Sequence, residues 1–301
     1  MNQPIPALQT RMAPLTWGLL LLLAVIWGSS FLANRAALEG VGVLTTVTFR
    51  VAGGAAFLWL YVFARGLKYP RGPRPIIAFL LMGAFGNALP FSLIVWGQQH
   101  IDAGLASILN ASAAVFGVLI AAIVFADERL TRHKALGVAV GFAGVIIAIG
   151  RDSLTSIDPN ALGQWAIVAA SLSYGIGAAL ARVLMRGFAP EVSAAGALTG
   201  AAFWMVPMML MVEGVPDFNW PIQSLTGVIW LAAVCSALAY LLYFHILQVA
   251  GMANISLVGL LIPPFAIVAG ALAYGERLGL NEIAGFAVLT LGLLILRSEK
   301  S

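Results

Sequence analysis

Asp127-Glu128-Arg129-Leu130 and Gly275-Glu276-Arg277-Leu278 stand 148 residues apart, each between two long apolar runs. The same offset pairs Trp17 with Trp165, Gly137 with Gly285, and Gly144 with Gly292. At an offset of 149, Asn87-Ala88-Leu89-Pro90-Phe91-Ser92-Leu93 matches Ser236-Ala237-Leu238-Ala239-Tyr240-Leu241-Leu242, and a one-residue insertion in the following loop reconciles the two. Glu-Arg-Leu alone is a weak signal. Its recurrence after the fourth apolar run of each half, with glycines in register behind it, reads as an internal duplication.

The apolar runs themselves set the class of the molecule. Hydrophobic residues make up 61% of the 301 positions and charged residues only 9%. A soluble domain carries about 25% charged residues. Too few charges are present to coat a water-facing surface, so the solvent is expected to be lipid. A spanning helix needs about 20 apolar residues, and ten such segments are expected near 14–36, 44–64, 75–97, 103–125, 134–150, 163–184, 193–212, 225–248, 253–274 and 281–297. Pro-rich breaks (Lys68 to Pro75, Val215 to Pro221) and charged connectors separate them. The runs are continuous rather than alternating, against a β-barrel. Arg11 followed by Leu15 to Trp27 resembles the start of a signal peptide, but no convincing cleavage site follows, so the segment is read as a retained first helix. The fold expected is an all-α polytopic membrane protein. It has a tail at 1–13, a five-helix repeat at 14–150, a linker at 151–162, a second repeat at 163–297 and a tail at 298–301.

Orientation follows from Lys and Arg. With the N-terminus inside, 12 of the 16 basic residues fall on inside connections and four, Arg35, Arg50, Arg151 and Arg277, do not. Both termini are expected to be cytoplasmic. Five helices per repeat is an odd number, so the second half must enter the membrane from the opposite side. Two inverted halves suit alternating access to a site near the midplane.

Polar groups inside the bilayer are costly and so informative. Helix 3 carries Asn87, Phe91, Trp96 and Gln98; helix 8 carries Ser236, Tyr240, Phe244 and His245. Asn87 and Phe91 share a helical face, as do Ser236, Tyr240 and Phe244. Such faces suit an apolar or zwitterionic ligand, or serve as packing and interface anchors. Asn110 and Asn254 lie on the opening turns of helices 4 and 9, where amides either bind a ligand or cap and glue helices. Trp27 and Ser30 in helix 1 and Tyr174 in helix 6 complete the candidate cavity wall. Arg50 lies about two turns from the outer end of helix 2. It either snorkels outward or acts as a structural partner or anion site. His245 is the midmembrane group able to relay protons near neutrality, though no buried acid partners it. Gly137-xxx-Gly141 and Gly196-xxx-Gly200 permit close helix approach, and helices 5 and 10 are expected to face each other or a second subunit.

At this point the chain resembles the drug/metabolite transporter superfamily, in its branch of duplicated five-helix EamA-type units. The residues that carry the resemblance are Trp27-Gly28-Ser29-Ser30-Phe31, Phe49-Arg50, the two Glu-Arg-Leu turns with their glycine-marked helices, and Pro263 in helix 9, followed by Pro264. One departure is the absence of a matching proline in helix 4 around Ala114 and Val115. The resemblance implies export of amino acids or related metabolites by alternating access from a bacterial-type inner membrane, and is strongest toward aromatic amino acid exporters. Drugs or nucleotide sugars are the alternative cargoes. Arg50, Pro263 and Pro264 become structural or gating candidates.

Other classes find little support. There is no His-Glu-x-x-His, no Gly-x-Ser-x-Gly, no pair of buried carboxylates and no phosphate-binding loop. The bases fall between apolar runs rather than on an aqueous domain, which argues against nucleic acid. A single cysteine, Cys235, allows neither an internal disulfide nor a metal cluster. The expectation is a transporter rather than an enzyme or a structural or signalling protein, with no cofactor and no metal. Its partners are a small-molecule substrate and the bilayer, and a monomer is expected ahead of a homodimer. The mechanism expected is rocking of bundles around a cavity lined by helices 1, 3, 4, 6, 8 and 9, uncoupled or weakly proton-coupled.

Overall fold

A computed structural model describes residues 13–126, 130–155, 158–250, 255 and 257–298. Among these every regular element is helical and no strand occurs. We number the helices α1 Pro14–Leu38, α2 Val43–Ala64, α3 Pro73–Gly97, α4 Ala103–Val124, α5 Arg132–Thr155, α6 Pro159–Leu184, α7 Pro190–Val212, α8 Ile222–Ala250, α9 Val258–Tyr274 and α10 Leu280–Ser298. All but α9 are long and apolar enough to cross a membrane on their described residues. The α9 helix has 17 described residues, and the segment before it, with Asn254, lies largely outside the described residues. The first Glu-Arg-Leu turn, Asp127 to Arg129, lies outside them too.

Helix starts obey local rules. Pro occupies the first turn of α1, α3, α6 and α7, where its missing N–H costs nothing. Asp158 caps α6, its side chain accepting from the Ala161 N–H at 2.8 Å. α5 runs to Thr155 past a break at Gly150 (φ 78°), and α6 starts at Pro159. Large apolar side chains such as Phe57, Leu60, Phe63, Met211 and Leu272 point outward around the bundle. That surface belongs in hydrocarbon.

Packing follows the duplication. α1 packs on α9 as α6 packs on α4; α1 packs on α8 as α6 packs on α3; α2 meets α7, and α5 meets α10. Lipid tails are as apolar as leucine, so close backbone approach rather than water exclusion must hold such pairs together. Glycine supplies it. A Cβ on Gly144 or Gly285 would strike the backbone of Leu289 or Ala148 across the α5–α10 seam, and Gly292 abuts Gly141. Helices 5 and 10 therefore face each other. Gly196 and Gly200 of α7 lie against Phe79 of α3. Gly53 and Gly54 of α2 lie against Ala232 and Ser236 of α8.

Most connections are too short to recross a membrane, so successive helices run in opposite directions. We call the membrane face at the start of α1 the N-terminal face and the other the distal face.

Candidate functional site

Two helices are irregular at repeat-related places. Residues Ala84–Ala88 of α3 and Trp230–Leu238 of α8 form π-helical turns. Such turns widen the backbone ladder, release carbonyls, and recur at functional sites. In α3 the cause is in the sequence. Pro90 has no N–H, so the Phe85 carbonyl lacks its i+5 donor. Ser173 of α6 donates to that carbonyl at 2.8 Å. In α8 the Cys235 carbonyl accepts from the Trp27 indole N–H of α1 at 3.2 Å. The first helix of each half thus supplies a donor to the widened third helix of the other half.

The two irregular turns carry Asn87 and Ser236, which are repeat mates, and one turn on come the mates Phe91 and Tyr240. Tyr240 donates to Asn87 Oδ1 at 2.9 Å, joining the halves. Tyr174 of α6 stands edge-on to Phe91 at 6.4 Å, and Phe244 stacks beside Tyr240 at 6.2 Å. Arg50 enters from α2. Its guanidinium lies 3.7 Å over the Phe91 ring, and its Nε donates to Ser236 Oγ at 3.3 Å. The side chain is buried, with 6% exposure, so it does not snorkel to the distal face. Its aim follows from Gly53 and Gly54, which bring α2 against the π turn of α8.

Of the sequence candidates, Asn87, Phe91, Tyr174, Tyr240 and Phe244 converge, and Arg50 joins them. Trp27 flanks the group, its ring 5.7 Å from Tyr243. Ser30 is buried in α1 and bonds back to the Trp27 carbonyl at 2.6 Å. Asn110 lies where α4 interrupts its helical run before Ala113; its Oδ1 is buried without a partner among the described residues. Trp96 and His245 are not brought in. Trp96 is exposed, edge-on to His100 at 4.9 Å, and His245 is exposed on α8. Pro263 and Pro264 sit inside α9, Pro263 buried. Among the described residues no group of His, Cys, Asp or Glu is arranged to hold a metal.

Sequence reasoning missed the closure at the distal face. Glu276, just past α9, accepts from the Ala103 and Gly104 N–H groups at the start of α4, both at 3.1 Å. It also pairs with Arg35 of α1 at 2.5 Å. A carboxylate on a helix N-terminus meets unsatisfied N–H groups and the positive end of the dipole. Arg35 reaches Asp102 at 3.3 Å and lies 4.3 Å over the Tyr274 ring. Burial, then the neighbouring Glu276 carboxylate, push the Asp102 carboxyl above its ordinary value, and Arg35 pulls it back in part. One layer deeper, Asn34 donates to Gln98 at 2.8 Å and Gln98 to the Phe31 carbonyl at 2.9 Å. A second carboxylate, Glu213 past α7, caps the start of α2 through the Leu44 and Thr45 N–H groups at 2.9 and 2.8 Å. At the N-terminal face Arg182 of α6 lies 4.3 Å over Phe125, the same kind of pairing as Arg35 with Tyr274, each one residue off the 148 register. Arg182, Val183, Arg186 and Phe125 line a recess there.

The arrangement is therefore a central aromatic and polar cluster between two inverted halves, latched at one face. The chain is 28% identical over 290 residues to a "Probable terminal-alkyne amino-acid exporter" of Streptantibioticus cattleyicolor, covering 95% of this chain and 94% of that one. It is 26% identical over 290 residues to a "Probable amino-acid metabolite efflux pump" of Salmonella typhimurium, covering 92% and 93%. A solved crystal structure, 18% identical, shares the fold with a TM-score of 0.64 over 93% of this chain and 96% of that one. The profile of the EamA-like transporter family matches residues 15–150 and again 161–298. With both halves matched, the chain belongs to the EamA-like transporter family, and is a multi-pass membrane transporter of small molecules.

Proposed function

We propose that this transporter exports amino acids, aromatic and hydrophobic ones foremost, by alternating access. The observation that carries the reading is the cluster beside the two π turns, where Tyr240 bonds Asn87 and Arg50 reaches Ser236. Its aromatic rings (Phe91, Tyr174, Tyr240, Phe244) offer an apolar body a lining, while Asn87 and Arg50 offer polar ends a partner. The relatives named as amino-acid exporters support the same cargo class.

In this mechanism the N-terminal face is cytoplasmic, a reading the distribution of Lys and Arg supports. The latch of Arg35, Glu276 and Asp102 closes the outer side while substrate enters from the cytoplasm. Rocking of the inverted halves then breaks the latch and closes the Arg182–Phe125 side. The irregular turns of α3 and α8 and the prolines of α9 give these helices places to bend. His245 lies exposed on α8, its ring in no hydrogen bond or ring contact with the cluster residues named above, and the mode proposed is efflux driven by the substrate gradient.

Counterflow into proteoliposomes, with labelled aromatic, aliphatic and charged amino acids, a nucleotide sugar and a cationic drug, tests the reading. Accumulation of phenylalanine, tyrosine or leucine above the others is expected. Uptake of the nucleotide sugar or the drug with no amino acid carried would overturn it.

A further inference from the structure

We infer that Arg50 is the carboxylate anchor of this transporter, a site for the single negative charge of a substrate whose body is apolar. The inference deepens the export reading above and rests on it. A guanidinium is charged at every physiological pH. Placing it inside a bilayer costs about 2.5–3.5 kcal/mol on insertion scales, and an intramembrane charge normally has a partner that can be named. Here no partner of opposite charge appears among the described residues. Neither Arg35's partners, Asp102 and Glu276, nor any other carboxylate among the described residues is paired with Arg50. Arg50 has one hydrogen bond, from Nε to Ser236, and one ring face, Phe91. Its two terminal nitrogens donate to no acceptor among the described residues, though the residue is 94% buried.

Two terminal N–H groups on one planar fork match the two oxygens of a carboxylate. The Phe91 face and Ser236 hold the fork without neutralising it. The repeat adds a second argument. The position matching Arg50 at offset 148 is Leu198, an apolar residue that packs in the buried cluster containing Phe91. The site thus carries one fixed positive charge, not a symmetric pair, which suits a monoanion better than a phosphate. The residues around it fix the rest of the ligand. Phe91, Tyr174 and Tyr240 wall an apolar body. Asn87 Oδ1 accepts one bond from Tyr240, and its second lone pair is free to accept from an ammonium.

The test is counterflow of labelled L-phenylalanine in proteoliposomes, competed by unlabelled L-phenylalanine, its methyl ester, phenethylamine and 3-phenylpropionate. The anchor predicts that the ester and the amine compete about tenfold less well, or worse, while 3-phenylpropionate retains measurable competition. Arg50→Met is expected to lose the preference for the acid over the ester, and Arg50→Lys to keep part of it. A wild-type protein that carries phenylalanine yet yields equally to ester and amine overturns the anchor and leaves export intact. A wild-type protein that carries no amino acid overturns both. Because the competition series uses the wild type, misfolding of Arg50→Met does not blunt the test.

Discussion

Two charged side chains, Arg50 and Glu276, show how differently a residue's job can be written. Both stand out in the sequence, Arg50 by its depth and Glu276 by its repeat. Depth is legible because any long apolar run measures it. Direction is not, since it depends on which neighbour comes close; Gly53 and Gly54 against α8 decide that Arg50 turns inward. Likewise nothing local to Glu276 names Arg35 or the start of α4 as its partners, for they lie far along the chain. The residue-scale prediction concerns that latch. Glu276→Gln keeps the shape and removes the charge that binds Arg35, a loss of about 1.5–3 kcal/mol for a charge-assisted bond. In a Cys235→Ala background, a cysteine placed at Ser107, one turn below the latch, should react with an external impermeant maleimide several-fold faster when Glu276 is Gln. An unchanged rate would remove Glu276 from the closure.

At the scale of elements, the glycines were readable and the π turns were not. Gly137, Gly144, Gly285 and Gly292 sit in repeat register, and the structure uses them as the α5–α10 seam. Small residues at fixed spacing have one physical use inside lipid, so pattern and packing agree. A π turn is a balance between a backbone bond lost and a partner gained from another helix. Only Pro90, inside an apolar run, hinted at one; the α8 turn has no such mark and depends on Trp27 of a different helix. The seam gives a direct test. Gly144→Leu would drive a side chain into the Leu289 backbone and should cost about 1–3 kcal/mol or more. Its thermal midpoint in detergent should drop by several degrees, whereas Gly117→Ala, which meets nothing within 4 Å, should leave it nearly unchanged. Equal midpoints for the two would contradict the packing described.

For the whole molecule, hydrophobicity says only that the chain lives in lipid, while the odd repeat says how its halves relate. The paired contacts of α1 with α9 and α6 with α4 carry that inversion into three dimensions. The symmetry is broken where function is placed. Arg50 has Leu198 as its mate. At the distal face the Arg35–Tyr274 pair is completed by a carboxylate on a helix start. A transporter with one latched face and one central cluster must release the latch in every cycle. The most direct test is to replace Arg35 and Glu276 together by cysteine, with Cys235→Ala, and to bridge them through disulfides with a short bis-methanethiosulfonate cross-linker in proteoliposomes. Phenylalanine counterflow should stop as the bridge forms and return when a reductant cleaves it. Full cross-linking with undiminished counterflow would contradict alternating access through this face.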